Sequence, residues 1–196
     1  SKVIGYRWLS TAVDGNRHDG NRKSSKAVVD FYYKHSITEK NIMILTATCL
    51  FGLEKLVGDE VDALGYKRIE TIDGRVTFEA PPEGVAVCNI NFRFAERLYI
   101  NMGSFYANTF EQLFQGVKNI PWEQYIGEYD IFPVKGHSIK SKLFSIPDCQ
   151  KIIKKAVVTR LESVYGRKIF PETGVNYKIE FFILNDKATL MIDTSG

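Results

Sequence analysis

Cysteine is scarce in the 196-residue chain, and the three present, Cys49, Cys88 and Cys149, form neither an even set nor a Cys-x-x-Cys pair. A disulfide framework and a cysteine-ligated metal cluster are thereby excluded, and the expectation is reduced thiols in a cytoplasmic protein. Histidine is equally sparse: His18, His35 and His137 lie far apart without a His-Glu-x-x-His spacing, so no metal site is expected. No apolar run approaches the ~18 residues of a spanning helix, and the N-terminus lacks the apolar core of a signal peptide, so no membrane partner is expected. Neither a Gly-x-Gly-x-x-Gly turn nor a Walker loop occurs, which removes a nucleotide cofactor held by this chain. Net charge is small too, 26 Lys plus Arg against 23 Asp plus Glu, or +3. What the composition does hold is 44% hydrophobic residues, enough for one or two packed cores and too many for a mainly disordered chain.

The small total hides an uneven distribution. Residues 1–44 carry eight basic and four acidic groups, residues 45–132 seven and thirteen, and residues 133–196 eleven and six. A basic final block beside an acidic middle implies a polyanion-binding face on the later part of the chain. A solvated basic surface is the plain alternative.

Residues 1–42 contain Gly5, Gly15, Gly20, Asn16, Asn21, Ser24 and Ser25 with no sustained period of 2 or 3.6. They are expected to be an extension, poorly ordered or foreign to the natural protein, with Met43 as the natural initiator. Regular signals begin at residue 44. A β-branched strand over 44–49 precedes a helical spacing of Leu53, Leu56, Val57, Val61 and Leu64 that stops at Gly65. Two strands, 66–72 and 75–79, flank Asp73-Gly74, a dipeptide suited to a tight hairpin turn. Pro81-Pro82 opens a second helix, and Leu98, Ile100 and Met102 alternate as a fourth strand. The order βαββαβ over residues 43–107 predicts a ferredoxin-like domain.

A second α/β domain is expected over residues 108–196. Phe110, Leu113, Phe114 and Val117 make a helical stripe behind Asn108-Thr109, either of which can cap it. A strand is expected over 129–134, near a sheet edge or ending at a bulge because of Pro133, followed by a loop from Gly136 to Lys142. Pro147 opens the longest helix, to about Tyr165, with Gly166 as its stop. Two strands, 175–184 and 188–192, join at Asn185-Asp186. The fold class is therefore α+β.

On the long helix, Ile153, Ala156, Val157, Leu161 and Val164 share one face, and Lys151, Lys154 and Lys155 fall within a separate arc of about 100°. Together with Lys135, Lys140 and Lys142 in the loop, and with Arg160, Arg167 and Lys168, they suffice for a surface that follows a phosphate backbone. Reversing the charges of Lys154 and Lys155 is then expected to weaken nucleic-acid binding. Gly136-His137-Ser138 holds the residue types of a hydrolytic triad, but neighbouring strand residues point to opposite faces and no Gly-x-Ser-x-Gly elbow exists. No catalytic residue is expected. The glycine fits either a close backbone approach to a ligand or a turn. Asp59, Glu60 and Asp62 are expected as solvated surface. Phe105, Tyr106, Trp122 and Tyr125 are of the type that stacks bases, but near a junction between two units they fit core filling better.

Several stretches in order resemble the N-terminal part of the bacterial THUMP-containing methyltransferases that modify guanine N2 of large-subunit ribosomal RNA. They are Ala47-Thr48-Cys49-Leu50-Phe51-Gly52-Leu53-Glu54, Gly74-Arg75-Val76 with Phe78, residues 91–98, and Pro133-Val134-Lys135-Gly136-His137-Ser138. Ser141-Lys142-Leu143, Asp148-Cys149-Gln150, Lys154-Lys155-Ala156 and Asp193-Thr194-Ser195-Gly196 continue the series. The resemblance implies a ferredoxin-like domain, then a THUMP RNA-binding domain, then a methyltransferase domain using S-adenosylmethionine that would follow Gly196. With large-subunit ribosomal RNA as the implied partner, the basic face places the expected RNA contacts at Lys135, Gly136, His137, Ser138, Lys140, Lys142, Lys151, Lys154, Lys155, Arg167 and Lys168, with no cofactor in these residues. Two rivals stand beside it: the RNA-binding half of a tRNA-thiolating enzyme, and a protein-interaction domain with an acidic partner.

Overall fold

A computed structural model of the chain describes residues 42–195, so the expectation for residues 1–42 lies, apart from an exposed Ile42, outside the described residues. Strand β1, Met43–Thr48, buries Leu45 and Ala47 on one side and Thr46 on the other, as alternation along a pleated strand requires. Helix α1, Glu54–Ala63, buries Val57 and Val61 one turn apart, and the chain leaves it through Gly65 at φ 76°. Strands β2, Lys67–Ile72, and β3, Arg75–Ala80, form the hairpin around Asp73-Gly74. Helix α2, Gly84–Asn91, and strand β4, Arg97–Tyr106, complete the first half, whose strand order β2-β3-β1-β4 is the ferredoxin-like order.

The turn before α1 is held by one carboxylate. Glu54 accepts hydrogen bonds from the backbone N–H groups of Gly52 and Gly74, each at 2.8 Å, and so ties the β1–α1 turn to the β2–β3 hairpin. The N–H of Gly74 is the foremost cause that holds the Glu54 carboxyl below its ordinary value of 4.5. Because the folded-state value is depressed, the stabilisation is present above pH 4.5 and is lost as the pH falls through the lowered value. Glu54→Gln is expected to melt below the wild type at pH 7, with the gap closing in the acid range below pH 4.5. Melting curves from pH 7 to pH 3 check this, and a constant gap would contradict it.

In the second half, helix α3, Phe110–Lys118, is capped by Thr109, whose Oγ1 accepts from Gln112 N at 3.2 Å. A single 3-10 turn, Trp122–Gln124, follows. Strand β5, Val134–Ile139, helix α4, Ile146–Tyr165, strand β6, Ile179–Leu184, and strand β7, Lys187–Asp193, finish the chain. Gly166 ends α4 at φ 67°, as its place after the last apolar position predicts. β5 and β6 run parallel with α4 as the crossover, whereas β6 and β7 form an antiparallel hairpin. β4 pairs with β7 from Tyr99↔Asp193 to Tyr106↔Lys187, so the two halves share one seven-stranded sheet, β2-β3-β1-β4-β7-β6-β5.

Two expected elements differ. Residues 129–133 make one isolated bridge, Ile131↔Asn176, in place of a strand, and only Val134 of the expected span is in one, at the start of β5. The cause is Asp130, whose carboxylate accepts from Gly127 N at 2.7 Å and Val175 N at 2.9 Å and holds the segment in a turn, while Pro133 offers no N–H to a ladder. The expected loop from Gly136 is strand as far as Ile139, and β6 begins at Ile179 rather than 175 because residues 175–177 bond to Ile131. β5 is nevertheless the sheet edge that Pro133 suggested.

The four helices of the described residues pack on one face. Leu45, Val76, Phe78, Leu98, Phe181, Ile183 and Leu190 meet Val57, Val61, Cys88, Leu113, Val117, Ile153, Val157 and Leu161 in one continuous core. Trp122 is fully buried there and its Nε1 donates to Val117 O at 2.8 Å, while Phe105 and Tyr125 pack at the margin; three of the four candidate stacking aromatics are thus core. Cys49, Cys88 and Cys149 are free and buried, and burial pushes all three thiols up, Cys88 to about 12. The carboxylates of α1 are not merely solvated: Glu60 accepts from Arg93 N at 2.9 Å and Asp62 pairs with Arg68 at 2.6 Å.

The opposite face is concave. On a flat sheet Arg75 of β3 and Phe182 of β6, four strands apart, would be separated by about 19 Å across the strands alone, before their offset along them is added. Here the Arg75 guanidinium sits 3.5 Å from the centre of the Phe182 ring, which requires the sheet to curl strongly toward this side. No described helix is long and apolar enough to cross a membrane.

Candidate nucleic-acid interface

The alternation of β5 distributes its motif. Lys135, His137 and Ile139 are exposed on the concave side, opposite Glu180, Phe182 and Leu184, whereas Val134, Gly136 and Ser138 turn toward the core side. His137 and Ser138 therefore point apart, and the Ser138 Oγ is buried with no hydrogen-bond partner among the described residues. Gly136 makes its close approach within the protein: a Cβ there would press into the Phe181 carbonyl oxygen and lie 2.6 Å from the Phe181 ring.

After Ile139 the chain turns through Lys140, which takes a left-handed φ of 50°. Ser141 then acts as a latch: its Oγ donates to Ile139 O at 2.8 Å and accepts from Asp186 N at 3.0 Å. Lys142 N donates to the Asp186 carboxylate at 2.7 Å. Asp186 belongs to the β6–β7 turn, where Asn185 and Asp186 hold φ 50° and 64°. Lys140 and Lys142 are thereby fixed beside Lys187, the residue opposite Tyr106 in the sheet. None of the seven ion pairs among the described residues includes Lys135, Lys140, Lys142 or Lys187. Two aromatics stand out at this end, Tyr106 at 73% and Phe144 at 80% exposure. Sequence reading passed over Lys187 and Phe144, and it grouped Tyr106 with core aromatics; pairing of β4 with β7 is the information it lacked.

Helix α4 is different. Its lysines share a helical arc but not a common environment. Lys154 Nζ donates to Glu172 at 2.7 Å and to Phe132 O at 3.1 Å, and it lies 3.8 Å from the Phe132 ring centre. Lys155 leans the other way, 5.9 Å from the Phe114 ring, and Lys151 pairs with Asp148 at 3.7 Å. Arg160 is bound by both oxygens of Glu123, and this lowers the carboxyl's pKa. Arg167 pairs with Glu128 at 3.3 Å, while Lys168 is exposed. Lys154 and Arg160 thus fasten α4 to neighbouring segments, whereas Lys151 pairs only within the helix and Lys155 is exposed. Lys154→Met, which keeps the apolar stem on Phe132, is expected to lose about 1 kcal/mol, or ~2–4 °C in Tm. RNA affinity in a filter assay should stay within about twofold of wild type; a tenfold fall would place Lys154 among the contacts instead.

The shared sheet, with a βαββαβ half followed by helices and a β-α-β-β half, defines an α+β protein of the ferredoxin-like plus THUMP class. Family models agree on both parts: an RlmL ferredoxin-like domain matches residues 44–99 and a THUMP domain matches residues 107–193. The chain therefore contains an RlmL-type ferredoxin-like domain followed by a THUMP domain. It is 41% identical over 154 residues to "Putative RNA methyltransferase YpsC" of Bacillus subtilis (strain 168), covering 78% of this chain and 40% of that protein. It is 26% identical over 153 residues to "Ribosomal RNA large subunit methyltransferase K/L" of Syntrophotalea carbinolica, covering 76% and 21%. Among solved structures, "a possible methylase" from Clostridium difficile 630 superposes with a TM-score of 0.76 at 40% identity, over 78% of this chain and 41% of that one. SMU.472, described as "a putative methyltransferase complexed with SAH", gives 0.75 at 42% identity, over 79% and 42%. The chain thus spans less than half the length of each of these relatives.

Proposed function

We propose that this chain is the RNA-binding, substrate-positioning part of an S-adenosylmethionine-dependent methyltransferase acting on guanine N2 of large-subunit ribosomal RNA. In this reading a ferredoxin-like domain spans residues 43–107, a THUMP domain spans 108–196, and a catalytic domain follows. The observation that carries RNA binding is the latch between Ser141, Lys142 and Asp186, which holds Lys140, Lys142 and Lys187 together without carboxylate partners among the described residues. Preformed loop geometry removes much of the ordering entropy that a flexible basic loop would lose on binding. Lys135 and His137 extend the same edge along β5. Such cations neutralise phosphates and set register, leaving sequence to be read elsewhere.

The names of the relatives support methyltransferase chemistry and a ribosomal substrate, and the SAH-bound relative supports the methyl donor. The described residues do not fit that donor. The concave groove is lined by hydroxyls, amides, apolar side chains such as Phe182 and Met191, and the charges of Glu70, Arg75 and Lys187 rather than by a glycine turn between strand and helix, so methyl transfer is assigned to the further domain. Binding of a labelled RNA hairpin, with heparin as competitor, tests the reading. Retention of the hairpin at heparin concentrations that strip a generic polyanion binder supports it; no binding of duplex, hairpin or single-stranded RNA would overturn it.

A further inference from the structure

The Gly74-Arg75-Val76 stretch is unexplained by a basic edge on β5. Arg75 projects into the concave face, and among the described residues its guanidinium makes no ion pair; it stacks instead on Phe182 at 3.5 Å. Glu180, the nearby carboxylate, is occupied by the Tyr99 hydroxyl at 2.9 Å. Burial is the chief cause that lowers the Arg75 pKa, the mark of a cation held out of bulk water. From this stack a groove of about 260 Å³ runs to the β6–β7 turn. One wall carries Glu70 and Ile72 of β2, the other Tyr106, Lys187 and Asn185, and the floor carries neutral hydrogen-bonding groups. On that floor Thr46 Oγ1 lies 3.1 Å from Thr77 Oγ1, Ser104 Oγ lies 2.9 Å from Thr189 Oγ1, and Asn101 Nδ2 reaches Thr46 at 3.5 Å.

Three features select the occupant. A volume of about 260 Å³ is below the ~300–1,000 Å³ of sites that enclose a drug-sized ligand, so it suits one planar ring system and excludes a duplex. A guanidinium backed by an aromatic ring leaves its other plane for stacking, which is how unpaired bases are held by RNA-binding proteins. Hydroxyls and an amide supply donors and acceptors for a base edge but no charge for a phosphate. Apart from Arg75 in the stack and Glu70 on the far wall, charge enters at the mouth, where Lys187 stands beside the latched Lys140 and Lys142.

We propose that this groove is a subsite for one unpaired nucleotide of the bound RNA, its base stacked on the Arg75–Phe182 pair and its phosphate at the Lys187 mouth. The proposal rests on the RNA-binding reading and deepens it. The nucleotide leaves a helical region held by the basic edge, crosses the mouth past Tyr106, and seats its base against the hydroxyl floor.

The test uses the full 196-residue chain and two RNA hairpins, one blunt and one with a 3′ tail carrying 2-aminopurine, whose emission falls when it stacks. The wild type is expected to bind the tailed hairpin about tenfold more tightly than the blunt one, the scale of one stacked base, with quenched emission. Arg75→Met should remove that preference and the quenching while leaving blunt-hairpin affinity unchanged. Asn101→Ala, a smaller change on the floor, should reduce the preference without loss of fold. Equal wild-type affinity for the two hairpins, or an equal loss for both RNAs in Arg75→Met, would overturn the subsite alone. Failure of the wild type to bind either hairpin would overturn the RNA reading and the subsite with it.

Discussion

Reversing two charges in the latched loop, Lys140→Glu with Lys142→Glu, is expected to weaken hairpin RNA binding roughly 30-fold or more at physiological salt. Each loses a phosphate contact, and each new carboxylate repels the same phosphate; in screened water the two effects together are on the order of 1 kcal/mol per residue. The fold should be untouched. Neither side chain makes an ion pair among the described residues, and the latch uses the backbone N–H of Lys142 and the side chain of Ser141. An unchanged melting curve with a large loss of affinity is therefore the expected pair of results. Unchanged affinity would remove the loop from the interface.

The largest effect on stability is expected from Gly136→Val. β5 is an edge strand that joins the sheet through β6 alone, and Gly136 is registered against Phe181, which is fully buried. A side chain at residue 136 would overlap the Phe181 carbonyl, a backbone atom that cannot rotate away, and strike the ring at 2.6 Å. Overpacking of this kind costs about 3 kcal/mol, or ~6–12 °C in Tm for a domain of this size. Because β5 carries Lys135 and His137 and leads into the latched loop, RNA affinity should fall in parallel. Calorimetry with a binding assay on the same sample checks both; a Tm within 2 °C of wild type would show that the strand accommodates the change.

Much of the fold is legible in local signals. Gly65, Gly74 and Gly166 stop or turn the chain where their spacing suggests, and most of the apolar stripes of α1, α3 and α4 is buried, with Leu56, Phe110 and Val164 left exposed. The failures are long-range. β5 is hidden because Gly136, His137 and Ser138 have no strand preference; pairing with β6, 45 positions further along, makes them one. The same reason explains the site. Helical spacing gathers Lys151, Lys154 and Lys155 on one arc, but Glu172 and Phe132 hold Lys154, whereas Lys151 has an exposed pair with Asp148 of its own helix and Lys155 is exposed. Lys187 and Tyr106, separated by 81 positions, meet only through β4 and β7, and Arg75 meets Phe182 only because the sheet curls. Charge blocks indicated the basic half of the chain but not which of its cations remain available.

The central claim is that the cations around β5 and the β6–β7 turn, rather than those of α4, follow the RNA backbone. The most direct measurement is the slope of log affinity against log salt for a hairpin RNA, in the wild type and two neutralised variants. Each phosphate contact contributes about 0.9 to the slope on a duplex, so Lys140→Gln with Lys142→Gln should flatten it by about 1.8. Lys154→Gln with Lys155→Gln should leave the slope as it is in the wild type. An unchanged slope in the loop variant, with a flattened one in the helix variant, would contradict the account.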